Sequence, residues 1–327
     1  MERKLLIRLA LMGAVLALLL LILYSGFRII ESTVFLNADM DEPTGTGTRT
    51  IVKDGVQYYP RKDITVLMLL GINREGEVQP TEFNHGGAVD MVALVIFDRE
   101  QEQYHVLPLN RDMMVQMPAL DQRGREVGTY YGQLAYAHTY GDGMAISCEN
   151  VRRTISDLLC GLEIDYYLAM NMDTIGILND AVGGVTVNVK DDFSAVSRNL
   201  PMGQVTLNGD QAVTFVQARW GVGDQLNLSR MARQEEYMNR FADALRVALD
   251  RKSGFVEDTY SKVAKYVVTD CTVQILSRLE KDYGDYGMGR FWEIPGENVL
   301  GEEYYEFYPD QEALEKLILE LFYAPKA

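Results

Sequence analysis

The sequence predicts an α/β fold: a three-layer αβα domain with a mixed central sheet, preceded by an N-terminal transmembrane helix. Three observations carry this. Ile64–Ile72 (ITVLMLLGI) is a continuous apolar run of strand length, the pattern of a strand buried on both faces. Met91–Phe97 (MVALVIF) and Tyr104–Leu109 (YHVLPL) read as two more strands around the turn Asp98–Gln101, which makes them a hairpin. Helical patterns then alternate with short strand candidates to the end of the chain, as expected when helices cover a sheet.

From the N-terminus, Leu9–Phe27 is a stretch without charge, long enough to span a bilayer and preceded by Arg3, Lys4 and Arg8. The positive flank predicts a cytoplasmic N-terminus and places the rest outside: a single-pass protein of the cell membrane. A cleaved signal peptide is the alternative, but no convincing small-residue cleavage site follows the apolar run. Residues 1–28 are thus read as cytoplasmic tip and anchor, and residues 29–62, with EPTGTGTRT, as an extracytoplasmic stalk. A folded domain covers 63–250, and 251–327 form a helical C-terminal extension of it.

Inside the domain, the spacing predicts a helix over Cys148–Cys160, a strand over Asp165–Met170, and a helix over Asp173–Val182 capped by Asp173 and stopped at Gly183 and Gly184. Val185–Val189 alternates as a strand does. Asn208 with Gln211 is a capping signal, so a helix follows with Ala212, Phe215 and Val216 on its apolar side and Arg219 at its end. Further helices are expected over Leu228–Leu249, Phe255–Val268, Thr272–Tyr283 and Asp310–Tyr323, with one more strand over Phe291–Ile294.

The formal net charge is -16 over 327 residues and no basic stripe offsets it, which argues against a nucleic-acid partner. Three cysteines without metal-ligand spacing read as buried free thiols, a disulfide between two of them being the alternative. There is no GxSxG, Walker A, GxGxxG after a strand or HExxH, and the only histidines are His85, His105 and His138. These absences leave carboxylate and guanidinium chemistry, which suits phosphoryl groups held with a divalent cation.

Two groups of residues fit that chemistry. Asp90 precedes the second strand and Arg111–Asp112 follow the third, so a hairpin brings them to one end of the sheet, where Asn73 and Arg74 also leave the first strand. Arg219, Arg230 and Arg233 lie between Asn208 and Phe241, the latter two expected in the first turn of a helix. The helix dipole disfavours cations there unless an anion lies between them. Surface ion pairs with Glu235, Glu236 or Asp224 are the alternative.

The succession GINR, VDMVALVIF, VLPLNRDMMVQMP, QLAYAHTYGD, DYYLAMNMDTIGILNDAVGGVTVNV and LNGDQAVTFVQARWGVGDQLNLSRMARQ resembles the LytR-CpsA-Psr family over residues 63–250. The resemblance implies a membrane-anchored, extracytoplasmic transferase of Gram-positive bacteria. It would move a glycopolymer from a polyprenyl-pyrophosphate carrier to peptidoglycan, holding the lipid in an apolar tunnel and the pyrophosphate with arginines and Mg²⁺. It assigns Asp90 and the position of Asn73 to the metal and Arg111 and Asp112 to catalysis. Arg219, Arg230, Arg233, Gln234 and Arg74 are then expected at the pyrophosphate, with Asp112 either orienting Arg111 or serving as a base. Asn73, Ala88, Gln133 and Gln217 depart from the family pattern, replacing one carboxylate and three cations. With each charged hydrogen bond worth about 1.5–3 kcal/mol, a weakened Mg²⁺ and pyrophosphate site is expected. The same departures suit an alternative function, a catalytically weakened member that binds polyprenyl phosphates or a cell-wall partner as a regulator or scaffold.

Overall fold

The computed structural model describes residues 50–223, 227–251, 255–302 and 304–325. The expected transmembrane helix and most of the stalk lie outside these residues, and among them no helix is long and apolar enough to cross a membrane. The folded region begins earlier than the apolar run at Ile64. A hairpin of β1 (Ile51–Lys53) and β2 (Val56–Pro60), expected as stalk, pairs through β2 with the last strand, Tyr323–Pro325. Its Asp54–Gly55 turn has positive φ at both residues, the conformation tight hairpins need.

β3 (Ile64–Ile72), β4 (Val89–Asp98) and β5 (Gln103–Leu109) form an antiparallel meander with the expected turn, in which Asp98 Oδ1 accepts from the backbone N–H groups of Glu100 and Gln101 at 3.0 Å each. β6 (Met114–Leu120) and β7 (Glu126–Gln133) make a separate hairpin, followed by α1 (Ala145–Leu158). β8 (Tyr166–Asn171) pairs parallel to β3. Next come α2 (Met172–Ala181), the hairpin β9 (Val185–Val189) and β10 (Gly203–Leu207), α3 (Gly209–Gln217) and α4 (Asn227–Arg251).

The C-terminal part is not purely helical. α5 (Phe255–Val263) gives way to β11 (Val267–Thr269), an antiparallel edge on β8. After α6 (Val273–Tyr283), β12 (Gly287–Phe291) adds parallel to β5, ending where the expected strand begins. A hairpin of β13 (Gly296–Leu300) and β14 (Tyr305–Pro309) and the helix α7 (Gln311–Phe322), capped by Asp310, complete the order. The central sheet therefore runs β11-β8-β3-β4-β5-β12 and is mixed, with both of its edges drawn from the segment expected to be a helical extension.

Strand alternation separates two apolar cores. Val66, Met68, Leu70 and Ile72 of β3 pack with α1 and α7, whereas Leu67 and Leu69 face the other side with α2 to α6 and the β9–β10 hairpin. α3 carries the expected capping box between Asn208 and Gln211, but it ends at Gln217, leaving Arg219 beyond the helix. α2 is entered from Asn171 rather than capped by Asp173, whose Oδ2 accepts from Gly76 N at 2.7 Å. Cys148, Cys160 and Cys271 are free thiols.

His138 is enclosed in the core on the α1 side, its Nδ1 3.1 Å from the Gly87 carbonyl oxygen and its Nε2 3.8 Å from Cys148 Sγ. With the proton assigned to Nδ1, that nitrogen donates to Gly87. Burial pushes the imidazole from 6.5 down to about 4. The unfolded chain therefore takes up a proton first, so this contribution to stability is complete above about pH 6.5 and is lost as pH falls toward 4, by up to roughly 3 kcal/mol. Denaturant midpoints should fall over that window in the wild type, and His138→Gln should flatten the slope there; an unchanged slope would rule this out.

Candidate functional site

The C-terminal ends of β3 and β5 and the start of β4 meet at one end of the sheet's central strands, and a bulge aims the carboxylate between them. Gly71 pairs with Met91 but Ile72 pairs with Val89, so Asp90 is the extra residue on β4. Without the bulge Asp90 would follow Val92 onto the α1 face; with it, Val89 packs there and Asp90 turns with Met91 toward α4. A Cβ at Gly71, opposite, would sit 3.1 Å from the Met91 Cβ and press on the bulged strand.

Around Asp90 the expected cations converge. Arg111 Nη1 donates to Asp90 Oδ1, and Arg230 Nη1 lies 3.8 Å from the same oxygen. Asp112 is fully buried between Arg219, whose Nη1 is 3.0 Å from Oδ2, and Arg111, whose Nε is 3.5 Å from Oδ1. Gln133 Nε2 stands 3.4 Å from Asp112 Oδ1 while donating to Tyr305 O at 2.7 Å. With no exposed surface and guanidiniums on both oxygens, Asp112 is built to orient Arg111 and Arg219 rather than to reach a substrate proton.

Asp90 and Asp112 thus face three guanidiniums between them. Burial first, then the Arg111 charge, pushes the Arg230 guanidinium from 12.5 down to about 9. Burial also lowers Arg111, with Asp112 opposing and Arg219 reinforcing the shift. Holding Arg230 charged in this setting costs on the order of 4 kcal/mol relative to water. An anion placed among the three would offset that cost.

Other predicted residues lie elsewhere. Arg233 sits in the second turn of α4, not the first, and serves the fold: Nε donates to Phe215 O at 3.1 Å, Nη2 to Ala218 O, and Nη1 meets Asp191 Oδ2 at 2.9 Å. Gln234 Nε2 donates to Val216 O at 3.1 Å, so these two side chains tie α4 to the end of α3. Arg74 turns away from Asp90 to pack against Gly87 and Gly143, lining a small pocket with His138. Asn73 is exposed, and its Oδ1 accepts from Gln217 Nε2 at 3.2 Å. Two of the departures from the family pattern are thus one neutral hydrogen bond between β3 and α3.

Asp90 and Gln234 stand where two cavities meet. The first, about 150 Å³, lies between the sheet and α2, α3 and α4, with walls of Leu69, Met91, Met170, Ile175, Leu178 and Phe241. Its methionines make an adaptable apolar chamber. The second, about 410 Å³, lies between α4, β5 and the segment after β12. For a divalent cation the chemistry of Asp90 and Asn73 is suitable but incomplete, because Arg111 and Arg230 already face Asp90 and no group of three or more acidic, histidine or cysteine side chains is found among the described residues. Phosphate oxygens and water would have to supply the other ligands.

Comparison with known proteins places this geometry. The family model described as the LytR_cpsA_psr family matches residues 34–322, beyond both ends of the stretch that carries the sequence resemblance. A polyisoprenyl-teichoic acid–peptidoglycan teichoic acid transferase TagU of Oceanobacillus iheyensis is 29% identical over 216 residues, 64% of this chain and 61% of the relative. The match therefore spans about three fifths of that relative's length. The protein of the same name from Halalkalibacterium halodurans is 23% identical over 88% of both chains. A solved structure of TagT bound to LI-WTA superposes with a TM-score of 0.58 at 21% identity, covering 80% of this chain and 90% of that one, and so shares the fold. With its sheet, its arginine cluster and nearly its whole described length inside that match, the chain belongs to the LytR_cpsA_psr family.

Proposed function

We propose that this protein is a membrane-anchored transferase of cell-envelope assembly that moves a glycopolymer from a polyprenyl-pyrophosphate carrier to peptidoglycan. The observation that carries the reading is the crowded cluster of Arg111, Arg219 and Arg230 around Asp90 and Asp112, Asp90 itself lining an apolar cavity. A lipid pyrophosphate has both parts in one molecule: a tail for the chamber and a diphosphate for the guanidiniums. The similarity to the TagU transferases supports the same substrate class. The uncharged run Leu9–Phe27 supports an anchor with the domain outside the cytoplasm, and the acidic net charge supports partners other than nucleic acid.

In this reading an acceptor hydroxyl oxygen bonds to the polymer-side phosphorus, the bridging P–O bond breaks, and polyprenyl phosphate leaves. Arg111, Arg219 and Arg230 hold the phosphoryl oxygens and the departing charge. Asp112 keeps Arg111 and Arg219 aimed from below. Asp90, the carboxylate common to both cavities, is the group at hand for the hydroxyl proton. Mg²⁺, bound at Asp90 and Asn73 with phosphate oxygens, would supply further neutralisation of the diphosphate. The second reading, a binding member without turnover, draws on the neutral Asn73–Gln217 pair and on Gln133 beside Asp112. Full-length protein in micelles, given a lipid-linked polymer and peptidoglycan, separates the two: transfer supports the enzyme, and binding without transfer supports the scaffold.

Arg219→Ala should weaken geranylgeranyl pyrophosphate binding by the folded fraction about 10- to 100-fold, the loss of one charge-assisted contact, and should also lower the melting temperature, because it takes a partner from the buried Asp112. Arg233→Ala should cost stability without that loss of binding. Its partners are the α3 carbonyls and Asp191, so it should cost about 2 kcal/mol or more of stability while the folded fraction still binds the lipid. Equal loss of binding in both variants would contradict the division drawn here. Ile175→Trp, which fills the apolar chamber, should weaken geranylgeranyl pyrophosphate binding several-fold and leave inorganic pyrophosphate binding unchanged; calorimetric titration reads both.

A further inference from the structure

The second cavity has walls unlike the first. Phe291, Trp292 and Phe307 supply aromatic surface, while Asn110, Glu235 and Glu293 supply amide and carboxylate groups. Trp292 is buried, at 8% exposure, and its indole Nε1 has no hydrogen-bond partner. A buried donor left unpaired costs about 1–3 kcal/mol, which a ligand acceptor would relieve. The walls are fixed: Trp292 N donates to Val106 O at 2.8 Å, Phe307 N to Asp112 O at 2.9 Å, and the Arg290 guanidinium stacks 3.8 Å above the indole.

Aromatic faces with polar groups at their edges suit a ligand that is itself apolar on its faces and polar on its rim, as a pyranose is. The charge selects further. Glu235 and Glu293 repel an anionic polymer and leave an uncharged saccharide favoured. The cavity shares Asp90, Met91, Gln234 and Met238 with the apolar chamber, so a sugar held there lies beside the group that the lipid carrier approaches from the other side.

We propose that this cavity is the acceptor site, binding an uncharged saccharide against its aromatic wall, with the Trp292 indole N–H as a hydrogen-bonding anchor. The assignment rests on the transferase reading above and adds where the acceptor binds. The chain has two tryptophans, Trp292 and the 63% exposed Trp220, so Trp220→Phe leaves Trp292 as the sole indole fluorophore. Titrating that full-length variant in micelles with an N-acetylglucosamine tetrasaccharide should give a saturable change in Trp292 emission. By calorimetry, Trp292→Phe should weaken the tetrasaccharide at least 5-fold and keep geranylgeranyl pyrophosphate affinity within 2-fold. Ala232→Trp, at an exposed position on the cavity's α4 wall, should do the same without touching the core. Wild-type tetrasaccharide affinity in both variants, or no emission change while the lipid still binds, overturns the proposal. Failure of the wild type to bind either probe overturns the transferase reading, and this assignment with it.

Discussion

The ion network of Arg111, Arg219 and Arg230 around Asp90 and Asp112 is the constraint to which the rest of the structure answers. Its five members come from four places: a bulge in β4, the exit of β5 with both Arg111 and Asp112, the segment after α3, and the first turn of α4. Buried charges are tolerated only when paired, so none of these elements can shift without stranding a guanidinium or a carboxylate away from water. The cluster thereby locks that end of the sheet to the helical layer above it. The same enclosure raises the cost of holding the guanidiniums charged, and that cost is what the proposed diphosphate would offset.

A second set of side chains protects that arrangement. Arg233 and Gln234 spend their donors on the carbonyls of Phe215, Val216 and Ala218, which otherwise would end α3 unsatisfied. Gln133 links Asp112 to the backbone of Tyr305, so the β13–β14 hairpin, far away in sequence, buttresses the carboxylate. Gln133 and Gln217, which look like lost cations along the chain, are therefore hydrogen-bonding supports in three dimensions, and the Asn73–Gln217 bond removes one charge of each sign at most from the site's surroundings.

Much of the fold was legible because β3, β4 and β5 are long apolar runs whose period and turn residues agree. The capping box of α3 and the apolar stripes of α4 and α7 were legible for the same reason. β7 was not: it is exposed along most of its length and shows no alternation. β12 was misplaced because two of the five residues of GMGRF are glycine and the strand borrows its order from β5. At the site, Asp90, Arg111, Asp112, Arg219 and Arg230 could be found from their positions at element ends. Arg230 and Arg233 could not be told apart, since spacing of three on a helix gives a shared face but not which neighbour lies above each turn. Trp292 and Gln133 carried no local signal, as their meaning comes only from residues brought to them by the fold.

One consequence follows from the way α4 forms a wall for both cavities. Met91, Gln234 and Met238 belong to each chamber at once. A substitution at any of these positions reshapes both chambers together, so if they hold carrier and acceptor as proposed, diversification within such a lineage is channelled: new carriers and new acceptors would have to be acquired in matched pairs, or else through changes confined to the far ends of the two chambers.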